Sequence, residues 1–208
     1  MKDSMSFSAL GRAPLWALAV SSCLMTGCAL LSKAEPLSPR YFSPEPSVEP
    51  AGDRAPPVRA DLRLGNVDAA AYLDERIAYR PSETELGYFE DQRWTEPPAA
   101  YLRRALTQEL FERRGLSRIV GGAAPTLDAE LVSFEELREG ARRARVSLRF
   151  TLRDERRALL EHTLVVERPI APGDDAAARG LTLALSKALE DAVAQVADQV
   201  VGELQKAP

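Results

Sequence analysis

From residue 58 onward the chain switches between two hydrophobic periods, and the switches mark out its elements. Val58, Ala60, Leu62 and Leu64 alternate with Arg59, Asp61, Arg63 and Gly65, the two-residue period of a strand with one dry face. Further extended pieces are predicted at 76–80, stopped by Pro81, and around 86–93. Glu96-Pro97-Pro98 then opens a helix with proline in its first turn, where a missing N–H breaks no bond, and Leu102, Leu106 and Leu110 recur until Gly115 ends it. A short extended stretch at 117–120 and a Gly-Gly loop lead to a strand over 126–134, with Leu127, Ala129 and Leu131 on one side. The clearest strand follows. Ala144, Val146, Leu148, Phe150 and Leu152 point one way, while Arg145, Ser147, Arg149, Thr151 and Arg153 point the other. Asp154-Glu155-Arg156 turns it into 159–167, an antiparallel hairpin ended by Pro169, Pro172 and Gly173. Leu181, Leu185, Leu189, Val193, Val196, Val200 and Leu204 form the seam of a long closing helix. These elements predict an α+β fold: a mostly antiparallel sheet with two main helices packed on one face, the other face wet, preceded by a disordered tether.

The chain before residue 58 obeys neither period. Residues 1–12 carry Lys2 and Arg12, and 13–25 are apolar but too short to span a bilayer, the layout of a signal peptide. Met25-Thr26-Gly27-Cys28 follows and resembles the lipobox, in which small residues before the cysteine let a diacylated substrate fit the cleavage site. Met25 stands where leucine is usual. Cleavage before Cys28 and acylation of its thiol are therefore expected, and several acyl chains exceed what stable anchoring needs. Ala29 stands where an aspartate would favour inner-membrane retention, so the expected location is the periplasmic face of the outer membrane. Seven prolines then lie between 29 and 57, at 36, 39, 44, 46, 50, 56 and 57. Proline fixes φ and removes donors, so 28–57 reads as a tether from the lipidated cysteine, reaching roughly 80 to 90 Å when extended. Tyr41-Phe42 is its exception, an aromatic pair suited to docking on the domain. Residues 58–208 are expected to form one periplasmic domain.

Composition narrows the function. Two of 27 basic and one of 31 acidic residues leave with the leader, taking the net charge from −4 to −5, and so acidic a balance argues against general nucleic-acid binding. Cys23 and Cys28 are the sole cysteines, so an acylated mature chain keeps no thiol for disulfides, metal or catalysis. Neither a P-loop nor a Gly-x-Gly-x-x-Gly after a strand occurs. His162 lies mid-strand without a partner that would position it as acid or base, and one histidine makes the usual zinc ligand sets unattainable. Glu135-Glu136 and Asp174-Asp175 read as solvated charge. Arg59, Arg63, Arg145, Arg149 and Arg153 could meet lipid headgroups or an acidic partner, but a solvated face balanced by Asp61 and its neighbours is the favoured reading. No enzyme and no cofactor beyond the covalent lipid on Cys28 are expected.

Three stretches carry more. These are the run from Val67 to Arg80 (Val-Asp-Ala-Ala-Ala-Tyr-Leu-Asp-Glu-Arg-Ile-Ala-Tyr-Arg), Glu85-Leu86-Gly87-Tyr88, and Arg93-Trp94-Thr95-Glu96-Pro97. In this order they resemble the ABC-type transport auxiliary lipoproteins, the PqiC-like group. The resemblance implies a periplasmic accessory of an ABC permease/ATPase system with an MCE-type periplasmic protein, carrying lipids or other hydrophobic molecules and acting by docking. Arg76, Tyr79 and Arg80 are then the candidate partner contacts, and a homo-oligomer stays open. An alternative of another class is an outer-membrane lipoprotein that helps assemble or plug a β-barrel, as lipopolysaccharide-assembly lipoproteins do.

Overall fold

The computed structural model describes residues 38–44, 60–171 and 177–206, all within the unit Ser38–Pro208. The leader, the lipobox residues Met25, Thr26 and Gly27, Cys28, most of the tether, Val58, Arg59, Pro172, Gly173, Asp174 and Asp175 lie outside the described residues. Within them the order is β1 (Arg40–Phe42), β2 (Asp61–Ala69), β3 (Arg76–Ser82), β4 (Glu85–Trp94), α1 (Pro98–Thr107), β5 (Ser117–Arg118), β6 (Thr126–Leu137), β7 (Arg143–Arg153), β8 (Ala158–Pro169) and α2 (Ala177–Leu204). The fold is α+β.

β6 is the spine of the sheet. One of its edges pairs along its whole length with β7, which pairs in turn with β8, both antiparallel. The other edge is shared by two strands, each parallel to β6. β2 takes Thr126 to Leu131, and β3 takes Glu135 to Leu137. β4 then pairs antiparallel with β3, β1 lies parallel on β4, and β5 lies parallel on β2. The sheet is thus mixed, with its two longest ladders antiparallel. β3 also runs through Pro81 to Ser82. That proline follows Arg80, the last residue of β3 paired with β6, and sits where the register to β4 shifts, so its missing N–H breaks neither ladder.

Two bulges decide which side chains face the helices. In β2 the register shifts between Leu64 and Val67, and in β6 between Leu131 and Ser133. An extra residue reverses the alternation downstream of it. Leu127, Ala129 and Leu131 therefore share the buried face with Phe134 and Glu136. Ser133, Glu135 and Leu137 turn to the opposite face.

The helices close the dry side, α1 against β2 and β6, and α2 against β7 and β8. Leu102, Leu106 and Leu110 of the first helical segment and Leu181, Leu185, Leu189, Val193, Val196 and Val200 of α2 are buried there with Leu62, Leu127, Leu148 and Phe150. After Thr107 the first helix widens into a π turn, Gln108–Arg113, in which the Arg114 N–H reaches back to the Glu109 carbonyl at 2.9 Å. Gly115, at φ 69°, ends it in a conformation that side chains resist. The wide turn keeps Glu109 buried between Arg113 and Arg114, and Arg114 reaches Asp198 of α2.

The aromatic pair of the tether does join the domain. Arg40, Tyr41 and Phe42 pair with Gln92, Arg93 and Trp94, and the Thr95 N–H donates to the Phe42 carbonyl at 3.0 Å. Phe42 packs against the core, while Tyr41 stays 61% exposed. A chain starting near Ala51 lacks this strand. It is expected to unfold cooperatively but about 1 to 2 kcal/mol less stably, since half-burying one phenylalanine is worth about that. Urea midpoints of the two chains check this, and equal midpoints would show that β1 adds nothing.

Candidate functional site

The wet face of the sheet carries a chequer of opposite charges. Across the ladders Arg153 meets Asp128 at 2.9 Å, Arg149 meets Glu130 at 3.0 Å, and Arg143 and Arg145 both reach Glu167, at 3.1 and 2.8 Å. Arg149 and Arg153 are thus each matched by a carboxylate on the neighbouring strand, which favours a balanced solvated face there, while Arg143 and Arg145 share one. Arg63 instead donates to the Gly122 carbonyl.

At one end this face is hollowed. Because β2 and β3 share one edge of β6, the six residues between them, 70–75, leave the sheet and return beside Val132. Tyr72 fills the gap so made. Its hydroxyl proton faces two acceptors, the Val132 carbonyl at 2.9 Å and Glu135 Oε2 at 3.1 Å, and its own carbonyl accepts from the Tyr88 hydroxyl at 3.0 Å. Arg80 Nε donates to Glu135 Oε1 at 2.7 Å. The result is a cleft of about 640 Å³, lined at its centre by Tyr72, Arg80, Glu135, Val132 and Leu137 and on the β7 side by Arg143 and Arg145.

Glu135 and Glu136 are not the solvated pair that the sequence suggests. Their side chains are 1% and 0% exposed, and they point to opposite faces. Glu136 is held by Arg138 and Arg142 on the helix side, and Glu135 by Arg80 and Tyr72 on the cleft side. Consecutive carboxylates inside a strand must straddle it, and a buried one must find a cation. That rule, applied to a longer β6, is the signal that would have located both.

The three candidate contacts separate. Arg80 is only 25% exposed and is committed to Glu135, so it is a structural partner of a buried carboxylate rather than a free surface group. Replacing Arg80 with alanine is expected to cost about 3 kcal/mol, the low end for breaking a buried pair, because Tyr72 still donates to the stranded carboxylate. Thermal melts check it, and an unchanged melting temperature would contradict it. Tyr79 lies on the opposite face from Arg80. Its ring packs directly over Gly87, where any Cβ would meet it at 2.5 Å, and Arg138 stacks on it at 3.5 Å. Arg76 shares the face of Arg80 and stays open, with 46% of its side chain exposed, over the Tyr88 ring at 3.9 Å and paired with Asp74 at 2.9 Å. Burial alone would raise the Asp74 carboxyl, but the hydrogen bonds and charge of Arg76 bring it below its ordinary value.

Tyr72 carries the clearest electrostatic signature. Desolvation, then the charge of Glu135, push its phenol from 10.0 up to about 12, so it remains a neutral donor at physiological pH. A phenol that holds its proton more tightly when folded contributes stability below its unfolded value near 10, and that contribution is lost as pH rises through 12. Unfolding midpoints should therefore fall across that window, and Tyr72→Phe should flatten the fall. An identical pH profile in the variant would contradict the coupling.

His162 lies on the helix-facing side of edge strand β8, exposed, stacked on Phe150 at 6.0 Å and 16°. It has no hydrogen-bonding partner among the described residues. Among them, too, no group of three metal-ligating side chains occurs, and no helix is long and apolar enough to cross a membrane.

A family model described as the ABC-type transport auxiliary lipoprotein component matches residues 42–201. No curated protein sequence matches. Among solved structures, the Xanthomonas campestris protein XCC0632, of family DUF330, is 20% identical with a TM-score of 0.69, covering 80% of this chain and 98% of its own. An uncharacterized protein is 16% identical with a TM-score of 0.61, covering 78% and 99%. The protein CT253 from Chlamydia trachomatis is 10% identical with a TM-score of 0.50, covering 70% and 98%. These structures share the fold.

Proposed function

The chain belongs to the ABC-type transport auxiliary lipoprotein family, and on that premise we propose that it is a membrane-anchored periplasmic accessory of an ABC/MCE-type transport system. It acts by docking rather than catalysis, and the cargo of the system is lipids or other hydrophobic molecules. The observation that carries this reading is the extent of the family match, which runs from Phe42, the last residue of β1, to Val201 in α2 and so takes in nearly all of the described domain.

In this reading Cys28 bears the lipid and Ala29 directs the protein to the periplasmic face of the outer membrane. The docked β1 shortens the leash. Arg40 lies only 12 positions after Cys28, so the extended chain reaches at most about 40 Å, roughly half the span of an undocked tether. The domain is thus held close to its membrane, where a periplasmic MCE-type protein would have to approach.

Arg76 is the contact best suited to such a partner, being exposed and pre-oriented by Tyr88 and Asp74. Replacing it with alanine is expected to leave melting nearly unchanged and to weaken binding of a purified MCE-type partner about fivefold, the effect of a rim charge. His162→Ala should leave that binding intact. An unaltered chain that fails to bind the MCE-type protein would contradict docking, and a stable His162 variant that alone loses function would favour catalysis.

A further inference from the structure

The cleft has a charge layout that its internal ion pairs do not use up. Glu135 is already satisfied by Arg80 and Tyr72. On the β7 wall Arg143 and Arg145 share the single carboxylate of Glu167, which is 26% exposed, while their own side chains remain 45% and 34% exposed. Two guanidinium groups carry ten N–H donors between them, so most are left for an incoming anion. On the turn side stand Glu83, in the β3–β4 hairpin, and Glu139, in the β6–β7 turn, both exposed and both lining the cleft. Neither side chain has an ion-pair partner among the described residues. Val132 and Leu137 of β6 line it too, with Ala70 the apolar members of an otherwise polar lining.

From this arrangement we propose that the cleft is a binding site for a zwitterionic amphiphile. Its phosphate or carboxylate is held by Arg143 and Arg145, its ammonium by Glu83 and Glu139, and the first part of its apolar tail lies over Val132 and Leu137. The size fits. A volume of about 640 Å³ lies within the range of small-molecule sites, whereas a folded partner needs a far larger and flatter contact. A purely anionic ligand would meet the two rim carboxylates unpaired, and a purely cationic one would meet the guanidinium pair. This site is independent of the transport role proposed above and can fail or hold without it.

The test titrates the full chain, in non-ionic detergent, with three probes: a short-chain phosphatidylethanolamine, a phosphatidylglycerol of the same chains, and free phosphoethanolamine. The expected result is saturable binding of phosphatidylethanolamine, about tenfold tighter than either of the others. The double variant Arg143→Ala/Arg145→Ala should weaken it about tenfold or more at unchanged melting temperature, since charge-assisted donors are removed. Glu83→Gln/Glu139→Gln should instead abolish the preference between the two lipids. Equal affinity for both lipids, free phosphoethanolamine binding as tightly as the lipid, or unchanged binding in the arginine variant would each overturn the proposal.

Discussion

Replacing Cys28 with alanine is expected to abolish incorporation of labelled palmitate and to leave the leader attached. Cys28 supplies the one thiol of Met25-Thr26-Gly27-Cys28, and the resemblance to the lipobox implies that cleavage waits for that thiol to be acylated. Cys23 also follows two small residues, Ser21 and Ser22, so Cys23→Ala is the paired control and is expected to leave labelling unchanged. Membrane fractionation alone would mislead here, since an uncleaved leader carries its own apolar stretch at 13–25. The decisive readouts are therefore the label and the shift in mass. Unchanged palmitate incorporation in the variant would contradict lipidation at Cys28.

The second large effect lies in the core. Trp94 is 1% exposed and packs its ring against Phe134 at 5.4 Å and Tyr101 at 6.3 Å. It also ends β4 at the corner where α1 begins. Its N–H donates to Glu75 at 2.7 Å, the next N–H donates to Phe42, and the Tyr101 hydroxyl meets Thr95 Oγ1 at 2.8 Å. The ring thus joins β4 to β6 and to the first turn of α1, while the backbone of the same corner holds β1 and the residue before β3. Trp94→Ala is expected to cost about 3 to 5 kcal/mol, the range for deleting a fully buried aromatic ring. For a domain of this size that is a fall of roughly 10 °C or more in melting temperature. Trp94→Phe should recover a good part of it. A loss below about 1 kcal/mol in the alanine variant would show that the corner does not depend on the ring.

The elements with strict periods were legible before the structure. β7, β8 and α2 follow their hydrophobic patterns almost to the residue, because local alternation and local hydrogen bonding set them. The open cleft was not legible, and the reason is the bulge at Val132. Read with uninterrupted alternation, β6 would turn Phe134 to solvent and Glu135 to the helices. One extra residue reverses both, burying Phe134 beside Trp94 and delivering Glu135 to Arg80. The sharing of one β6 edge by β2 and β3 is equally hidden, since parallel pairing joins residues some 60 positions apart and leaves no local trace. Arg80 and Tyr79 illustrate the consequence. Adjacent in the chain, they look like a pair of contacts, yet a strand sends neighbours to opposite faces, where Glu135 and Gly87 take them up.

The docking role stands or falls on company. Affinity purification of the full-length, lipidated protein from gently solubilised membranes, followed by identification of what co-purifies, tests it most directly. An ABC permease and ATPase are expected together with an MCE-type periplasmic protein, diminished in the destabilised Trp94→Ala variant and retained in His162→Ala. A folded, lipidated chain that brings down no component of an ABC transport system would contradict it.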